Sequence, residues 1–197
     1  MVSKAYDPLD YDNIGKSILD ALLLQAPAGL PPLEKFDGAG VYALYYTGDF
    51  ELYRGISSPA LEVPIYVGCA VPPGGRKGAD FAAPSEIGTV LHRRLSEHSG
   101  SIEDAENLSI EDFKCRYIVV LPVWVRLAES LLISRYKPIW NVYLDGFGNH
   151  PPGKGRKAMA RPAWDILHPG RRWARRLKAK QTSEEVIARI RARMQEP

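Results

Sequence analysis

Two short runs, each with a tyrosine close to a glycine, constrain the fold of this chain more than any other feature. The first is Gly-Val-Tyr at residues 40–42, and the second is Pro-Ile-Tyr-Val-Gly at residues 64–68. Aromatic and β-branched residues bounded by glycine and proline are typical of strands. We therefore expect residues 41–46 and 63–67 to form neighbouring antiparallel strands.

The rest of the chain shows helical periodicity, one further strand and a loop insert rich in glycine and proline. Apolar residues three or four apart, beside a capping residue or a closing proline, predict the helices. The last helix, which follows a capping-box pattern, could dock on the core or on a second subunit. The elements are helices over 12–26, 89–97, 125–136 and beyond 182–185, a strand over 113–123 and a loop insert at about 69–88.

These elements predict an α+β fold, with a small mixed or antiparallel three-stranded sheet flanked by helices. A chain of 197 residues fits one domain with elaborations. We divide it into an N-terminal helical extension over 1–37, a core over 38–145, and an arm over 146–197 that carries basic residues and the C-terminal helix.

Composition excludes several classes of protein. The chain has 45% hydrophobic and 25% charged residues, and it shows no apolar run of about 20 residues and no signal-peptide pattern. We therefore expect a cytoplasmic protein without a membrane partner. The two cysteines, Cys69 and Cys115, are far apart, so they build neither a disulfide framework nor a cysteine-rich zinc module. The four histidines lack zinc-ligand spacing, and no nucleotide-binding glycine motif is present.

The positive charge is concentrated near the C-terminus. Residues 153–180 contain ten basic residues and one acid, which gives +9 and leaves −6 on the rest of a chain whose net charge is +3. Such a segment indicates a polyanion partner, although a solvated basic face or a disordered tail would look alike. Tryptophans between the charges favour an ordered, packed segment. The candidate DNA contacts are Arg76 and Lys77 in the insert, and Lys154, Arg156, Lys157, Arg161, Arg171, Arg172, Arg175 and Arg176 in the arm.

A few polar residues lie on helices that otherwise pack through apolar residues. Arg94 and His98 are four residues apart and share one helix face, although an exposed helix of mixed charge needs no function. Glu129 shares its face with apolar neighbours, so its carboxylate requires a partner. That partner is either Arg126, in a structural salt bridge, or a hard divalent cation such as Mg²⁺.

Taken in order, Tyr42, Tyr66, Arg94, His98, Glu129 and Asn141 resemble the catalytic residues of the GIY-YIG nuclease superfamily, over about residues 38–143. The resemblance implies a metal-dependent endonuclease. In that mechanism Tyr42 takes a proton from the attacking water with help from His98, and Tyr66 orients the water or the phosphate. Arg94 and Mg²⁺ on Glu129, with Mn²⁺ as a substitute, neutralise developing charge, and Asn141 positions the phosphate or its neighbours.

Within the superfamily, the chain resembles the type II restriction branch, particularly enzymes that cut CCGCGG. The resemblance lies in the compact chain, the histidine one turn after the arginine, residues 43–48 and the basic arm. A palindromic site in double-stranded DNA implies a homodimer. Two alternatives remain open: a repair nuclease that acts on branched DNA as a monomer, and a DNA-binding module without catalysis.

Overall fold

A computed structural model describes residues 7, 9–72, 83–153 and 159–194, and its centre is a four-stranded antiparallel sheet in the order β1–β4–β2–β3. The strands are β1 (Ala28–Gly29), β2 (Gly40–Tyr46), β3 (Tyr66–Ala70) and β4 (Phe113–Val119). The helices are α1 (Tyr11–Leu23), α2 (Pro84–Ile87), α3 (Val90–Glu103), α4 (Pro122–Tyr136), α5 (Ile139–Val142), α6 (Ala163–Leu167), α7 (Arg172–Arg175) and α8 (Ser183–Met194).

The α+β class and the pairing of the two tyrosine-containing strands are confirmed. Strand β2 lies between β4 and β3 and is buried along its whole length, whereas β3 forms one edge of the sheet. The register places Tyr42 opposite Gly68 on one side and opposite Tyr117 on the other. The predicted sheet lacked β1, which is too short to produce a pattern and forms only by pairing with β4.

Alternation along β2 separates two apolar cores on the two faces of the sheet. Tyr42, Leu44 and Tyr46 belong to the core that includes side chains of α3, α5, α6 and α8. The residues between them belong to a second core, formed with α1 and α4. Side chains that reach the site from α3 and from α4 therefore start on opposite sides of the sheet.

Several predicted boundaries differ from those of the structure. Strand β4 ends at Val119 instead of residue 123, and helix α1 ends at Leu23 instead of residue 26. Strand β3 starts at Tyr66 instead of residue 63 and runs on to Ala70, where its pairing with β2 ends. Helix α3 continues to Glu103 because Ile102 is fully buried, and α4 starts at Pro122, since proline is well suited to the first helical turn.

The C-terminal part of the described chain packs onto the sheet. Val186 and Ile190 of α8 are fully buried in the core that contains Tyr42, so this helix docks on the core. Its capping box is present, because Thr182 and Glu185 exchange side-chain to backbone hydrogen bonds. Trp164 of α6 joins the same core, which confirms an ordered segment for residues 159–180. The division at 37 and 145 stays a prediction.

In residues 7, 9–72, 83–153 and 159–194, no helix is long and apolar enough to span a bilayer.

Candidate active site

A cleft of about 380 Å³ opens at the β3 edge of the sheet, and four of the six expected catalytic residues line it: Tyr42, Tyr66, Arg94 and Glu129. The edge position explains how they meet. Tyr42 and Tyr66 point to the face that carries α3, whereas Glu129 belongs to α4 on the other face. Because no strand lies beyond β3 in the sheet, side chains from both faces reach the same space.

Tyr42 is fully buried, and its phenol oxygen lies 2.5 Å from Nε2 of His98, which is 1% exposed. Gly68 makes this arrangement possible, because a Cβ at that position would collide with the phenol oxygen of Tyr42. A Cβ at Gly40 would likewise collide with the carbonyl of Ile118. The space beside both glycines is therefore filled by the protein itself.

Burial sets the protonation of this pair. It raises the pKa of Tyr42 well above its ordinary value and lowers the pKa of His98 well below its own, an effect that the charge of Arg94 reinforces at His98. Both groups are therefore neutral near pH 7, so the Tyr42 hydroxyl donates to Nε2 of the imidazole. Burial also raises the pKa of Tyr66, and the guanidinium of Arg94 opposes that shift at both tyrosines.

Arg94 is held in a fixed orientation at the cleft. Its Nη1 donates to Oε2 of Glu97 at 3.0 Å and to Nε2 of His150 at 2.9 Å, and its Nη2 donates to the carbonyl of Gly148 at 2.9 Å. Glu97 precedes His98 on α3, whereas the other two acceptors belong to the segment 146–150. We call this segment the clamp loop, because it binds Arg94 from the side opposite α3.

The clamp loop also contacts the tyrosine–histidine pair. The ring of Phe147 stacks on His98, with ring centroids 4.5 Å apart and an angle of 15° between planes, and meets Tyr66 edge to face at 5.0 Å. Phe147 is 1% exposed. Through Phe147 and the Gly148 carbonyl, one short loop therefore touches three of the expected catalytic side chains.

Arg171 holds the clamp loop in place, which corrects its assignment as a DNA contact. Its side chain is 2% exposed, and all five N–H groups donate inside the protein. Two bonds of 2.6 Å reach the buried carboxylate of Asp165, and three of 2.9–3.3 Å reach the carbonyls of Gly146, Phe147 and Asn149. No donor is left for a phosphate or a base.

Glu129 forms the salt bridge that was one of the two alternatives considered for it, and the metal alternative stays a prediction. Its Oε2 accepts from Nη1 of Arg126 at 3.2 Å and from Sγ of Cys69 at 3.1 Å, so a salt bridge is present. The carboxylate is nevertheless 21% exposed at the cleft wall. Across the described part of the chain, no group of three or more histidine, cysteine or acidic side chains is arranged to hold a metal ion. Glu129 would therefore be a lone carboxylate ligand.

Cys69 is a site residue that the sequence did not reveal, since it was expected to be a small buried hydrophobe. It lies on β3 and lines the cleft. Burial, reinforced by the hydrogen bond to Glu129, raises the pKa of the thiol to about 12, so Cys69 stays protonated and donates to the carboxylate. One sequence signal was available: Cys69 follows Tyr66 by three residues on the same strand, so its side chain lies on the opposite face from Tyr66, which is the face that carries Glu129.

Asn141 does not line the cleft, so a direct contact with the phosphate has no support here, and its expected role in positioning the neighbours of the phosphate stays a prediction. Its Oδ1 accepts from the backbone N–H of Val67 and its Nδ2 donates to the Val67 carbonyl, both at 2.8 Å. An edge strand exposes unpaired backbone groups, and this amide satisfies two of them in the way that a neighbouring strand would. Asn141 therefore fixes the backbone beside Tyr66.

The other candidate DNA contacts fall into three groups. Arg172 and Arg176 are exposed. Arg161 donates to the carbonyls of Ala174 and Arg175, and the Arg175 side chain pairs with Glu106. Outside the described residues lie Arg76, Lys77, Lys154, Arg156 and Lys157.

The sheet with its two paired tyrosines, the arginine and histidine on α3 and the glutamate on α4 define a nuclease of the GIY-YIG superfamily. The model of one family, described as the Eco29kI GIY-YIG domain, matches residues 34–194, and the chain belongs to this family of restriction-type nucleases. A search of curated proteins found no match.

Proposed function

We propose that this protein is a type II site-specific deoxyribonuclease that hydrolyses double-stranded DNA at a short palindromic GC-rich site such as CCGCGG. The observation that carries the proposal is the cleft, where a buried tyrosine, a half-buried tyrosine, a fixed arginine and a carboxylate converge. Membership of a restriction-type family supports the same conclusion. A palindromic site would be bound by a homodimer, because a two-fold site matches a two-fold protein.

We propose Mg²⁺ as the cofactor, with Mn²⁺ as a substitute. Mg²⁺ commonly takes one or two carboxylates and completes its shell with water and phosphate oxygens, which suits a lone Glu129 at the wall of an open cleft. Oε1 of Glu129 forms no hydrogen bond to any described residue, so one oxygen is available to a cation. When bound, the ion would neutralise charge on the phosphate oxygens.

The hydrogen bond between Tyr42 and His98 gives the attacking water a path for its proton. Burial alone opposes the transfer, because it raises the pKa of Tyr42 and lowers that of His98, and the negative charge of a phosphate bound in the cleft would favour it by stabilising the imidazolium. As the Tyr42 proton moves to Nε2 of His98, the phenol oxygen takes a proton from the attacking water, so Tyr42 ends the step neutral. The hydroxide attacks phosphorus, and the bond from phosphorus to the leaving oxygen breaks. Because the pKa of His98 is low, the imidazolium formed is a strong acid and gives its proton to water once the bond has broken, while the leaving oxygen takes a proton from water.

Arg94 and Tyr66 complete the proposed mechanism. The guanidinium of Arg94 is already oriented by Glu97, His150 and Gly148, so it can stabilise charge on a non-bridging oxygen without rearranging. The phenol of Tyr66 orients the water or the scissile phosphate.

The decisive experiment incubates plasmid with the protein and Mg²⁺ and sequences the ends produced. Discrete fragments with one end sequence support the restriction assignment, whereas branch-dependent nicking supports a repair nuclease and an uncut plasmid supports a binding module. Glu129→Ala should abolish cleavage and keep DNA binding, and the exposed Glu62→Ala serves as its matched control. Appreciable cutting by the Glu129 variant would overturn the metal assignment.

A further inference from the structure

A second cavity, of about 340 Å³, lies across the clamp loop from the catalytic cleft. Asn149 of the loop lines this cavity, while the next residue, His150, lines the cleft. Consecutive Cα atoms are only about 3.8 Å apart, so the loop is the wall between the two spaces. A ligand that occupied the cleft and extended over the loop would reach this second cavity.

The lining of the second cavity is cationic. Arg161, Lys180 and Arg189 contribute three positive charges, and Asp145 contributes one negative charge. Arg161 is oriented by its bonds to the carbonyls of Ala174 and Arg175, which fix its guanidinium at 3.1 Å and 2.9 Å from their oxygens. The volume is many times the roughly 30 Å³ that a water molecule occupies. Both charge and size suit an anion.

Arg189 carries the most specific sign of a missing ligand. Its Nη1 donates to Oε1 of Gln181 at 3.1 Å, but its buried Nε has no hydrogen-bond partner among the residues that the structure describes. Buried polar groups are nearly always paired, so the described residues leave this guanidinium short of acceptors, and its remaining Nη1 and Nη2 donors are the ones that a ligand in the cavity would reach. A guanidinium is well matched to phosphate, to which it presents several donors in one plane.

We propose that this cavity binds a backbone phosphate of double-stranded DNA, away from the phosphate that is cleaved, with Arg189 and Lys180 as the contacting residues. The inference rests on the proposed function, because the ligand of the cavity is the DNA that the nuclease would cut. A DNA backbone is favoured over a free anion because the cavity adjoins the cleft across a single loop. The contact would set where the duplex lies relative to the clamp loop.

The test measures the salt dependence of binding to a short random-sequence duplex by fluorescence anisotropy, without divalent metal, between about 50 and 200 mM salt. Each phosphate contact contributes about −0.9 to the slope of log K against log[salt]. Arg189→Gln and Lys180→Gln should therefore each flatten the slope by about 0.9. Lys180 is exposed, so its replacement tests the cavity even if the Arg189 variant folds poorly.

The matched control is Arg191→Gln on the same helix. Arg191 pairs with Glu51 outside this cavity, so its replacement should leave the slope unchanged. Slopes equal to wild type in both cavity variants would overturn the proposal. Thermal stabilisation by inorganic phosphate at constant ionic strength, without any change in slope, would assign the cavity to a free anion and also overturn it.

The outcome is separate from that of the cleavage test. If the wild type cuts at a defined site and both variants keep the wild-type slope, only the phosphate site is refuted. Flattened slopes in a protein that never cuts DNA would support the phosphate site and refute the proposed enzyme. Failure of the wild type to bind the duplex would refute the phosphate site, and the cleavage test alone would still decide the proposed enzyme.

Discussion

Replacing Arg171 by glutamine should lower both the free energy of unfolding and kcat. The side chain is buried, donates twice to Asp165, and holds the clamp loop through the carbonyls of Gly146, Phe147 and Asn149. That loop in turn contacts three of the expected catalytic side chains. The substitution therefore combines a loss of stability with a displacement of the site.

The size of each effect follows from the contacts. The Asp165 carboxylate, 1% exposed, would lose its cation, and breaking a buried pair in this way costs about 3–5 kcal/mol. The free energy of unfolding of a domain is about 5–15 kcal/mol in total, so this loss is large and can be measured by urea unfolding. A misplacement of catalytic groups by about 1 Å can lower the rate about 100-fold, and we expect kcat in Arg171→Gln to fall by that order.

A double variant separates the two effects. In Asp165→Leu with Arg171→Met, both charges are replaced by apolar side chains, a change that is often neutral or stabilising for a buried pair. We expect the double variant to have a higher free energy of unfolding than Arg171→Gln, because it no longer buries the unpaired Asp165 carboxylate. Its kcat should remain about 100-fold low, because nothing then holds the clamp loop carbonyls.

The assays are urea unfolding and single-turnover cleavage of a plasmid at saturating protein concentration. Arg191→Gln, which breaks an exposed pair with Glu51, should cost below about 1 kcal/mol and leave kcat unchanged. If the double variant recovers kcat together with stability, Arg171 acts on catalysis only by keeping the protein folded, and the positioning argument fails.

Three further predictions address the tyrosine–histidine pair and the response to pH. Tyr42→Phe should lower kcat about 100- to 10,000-fold with duplex affinity retained, whereas Tyr53→Phe, the same change in a second buried tyrosine–histidine pair, should lower stability and spare kcat. Comparable kcat losses in both would contradict a special role for the cleft pair. Gly68→Ala should lower kcat in cleavage assays because its methyl group displaces the Tyr42 phenol, and an unchanged rate would exclude that clash. Burial lowers the pKa of His168 from 6.5 to about 3, so below pH 6.5 the unfolded chain binds a proton that the folded chain does not. The free energy of unfolding should therefore fall towards acid by up to about 1.4 kcal/mol per pH unit from this residue. Urea unfolding between pH 7 and pH 5 should show a shallower fall in His168→Asn, and the exposed His150→Asn should match wild type; equal slopes in all three would contradict the prediction.

The sequence by itself determined the strands and helices and most of the chemistry of the site. The alternation in residues 41–46 requires a strand with two apolar faces, and β2 has them. The carboxylate of Glu129 on an apolar helix face marked that residue without any knowledge of the fold. These signals are local, because side-chain direction repeats every two residues in a strand and every 3.6 in a helix.

Only the tertiary structure decided which of these polar groups face the substrate. Nothing local distinguishes Arg171 from Arg172, yet one is buried against Asp165 and the other is exposed. Asn141 was expected in the cleft, but its amide is consumed by the backbone of Val67. Buried donors and acceptors must be paired, and the partners that satisfy them come from segments far apart in the chain. Such pairing depends on how β3, the clamp loop and α6 pack together, which no local pattern contains.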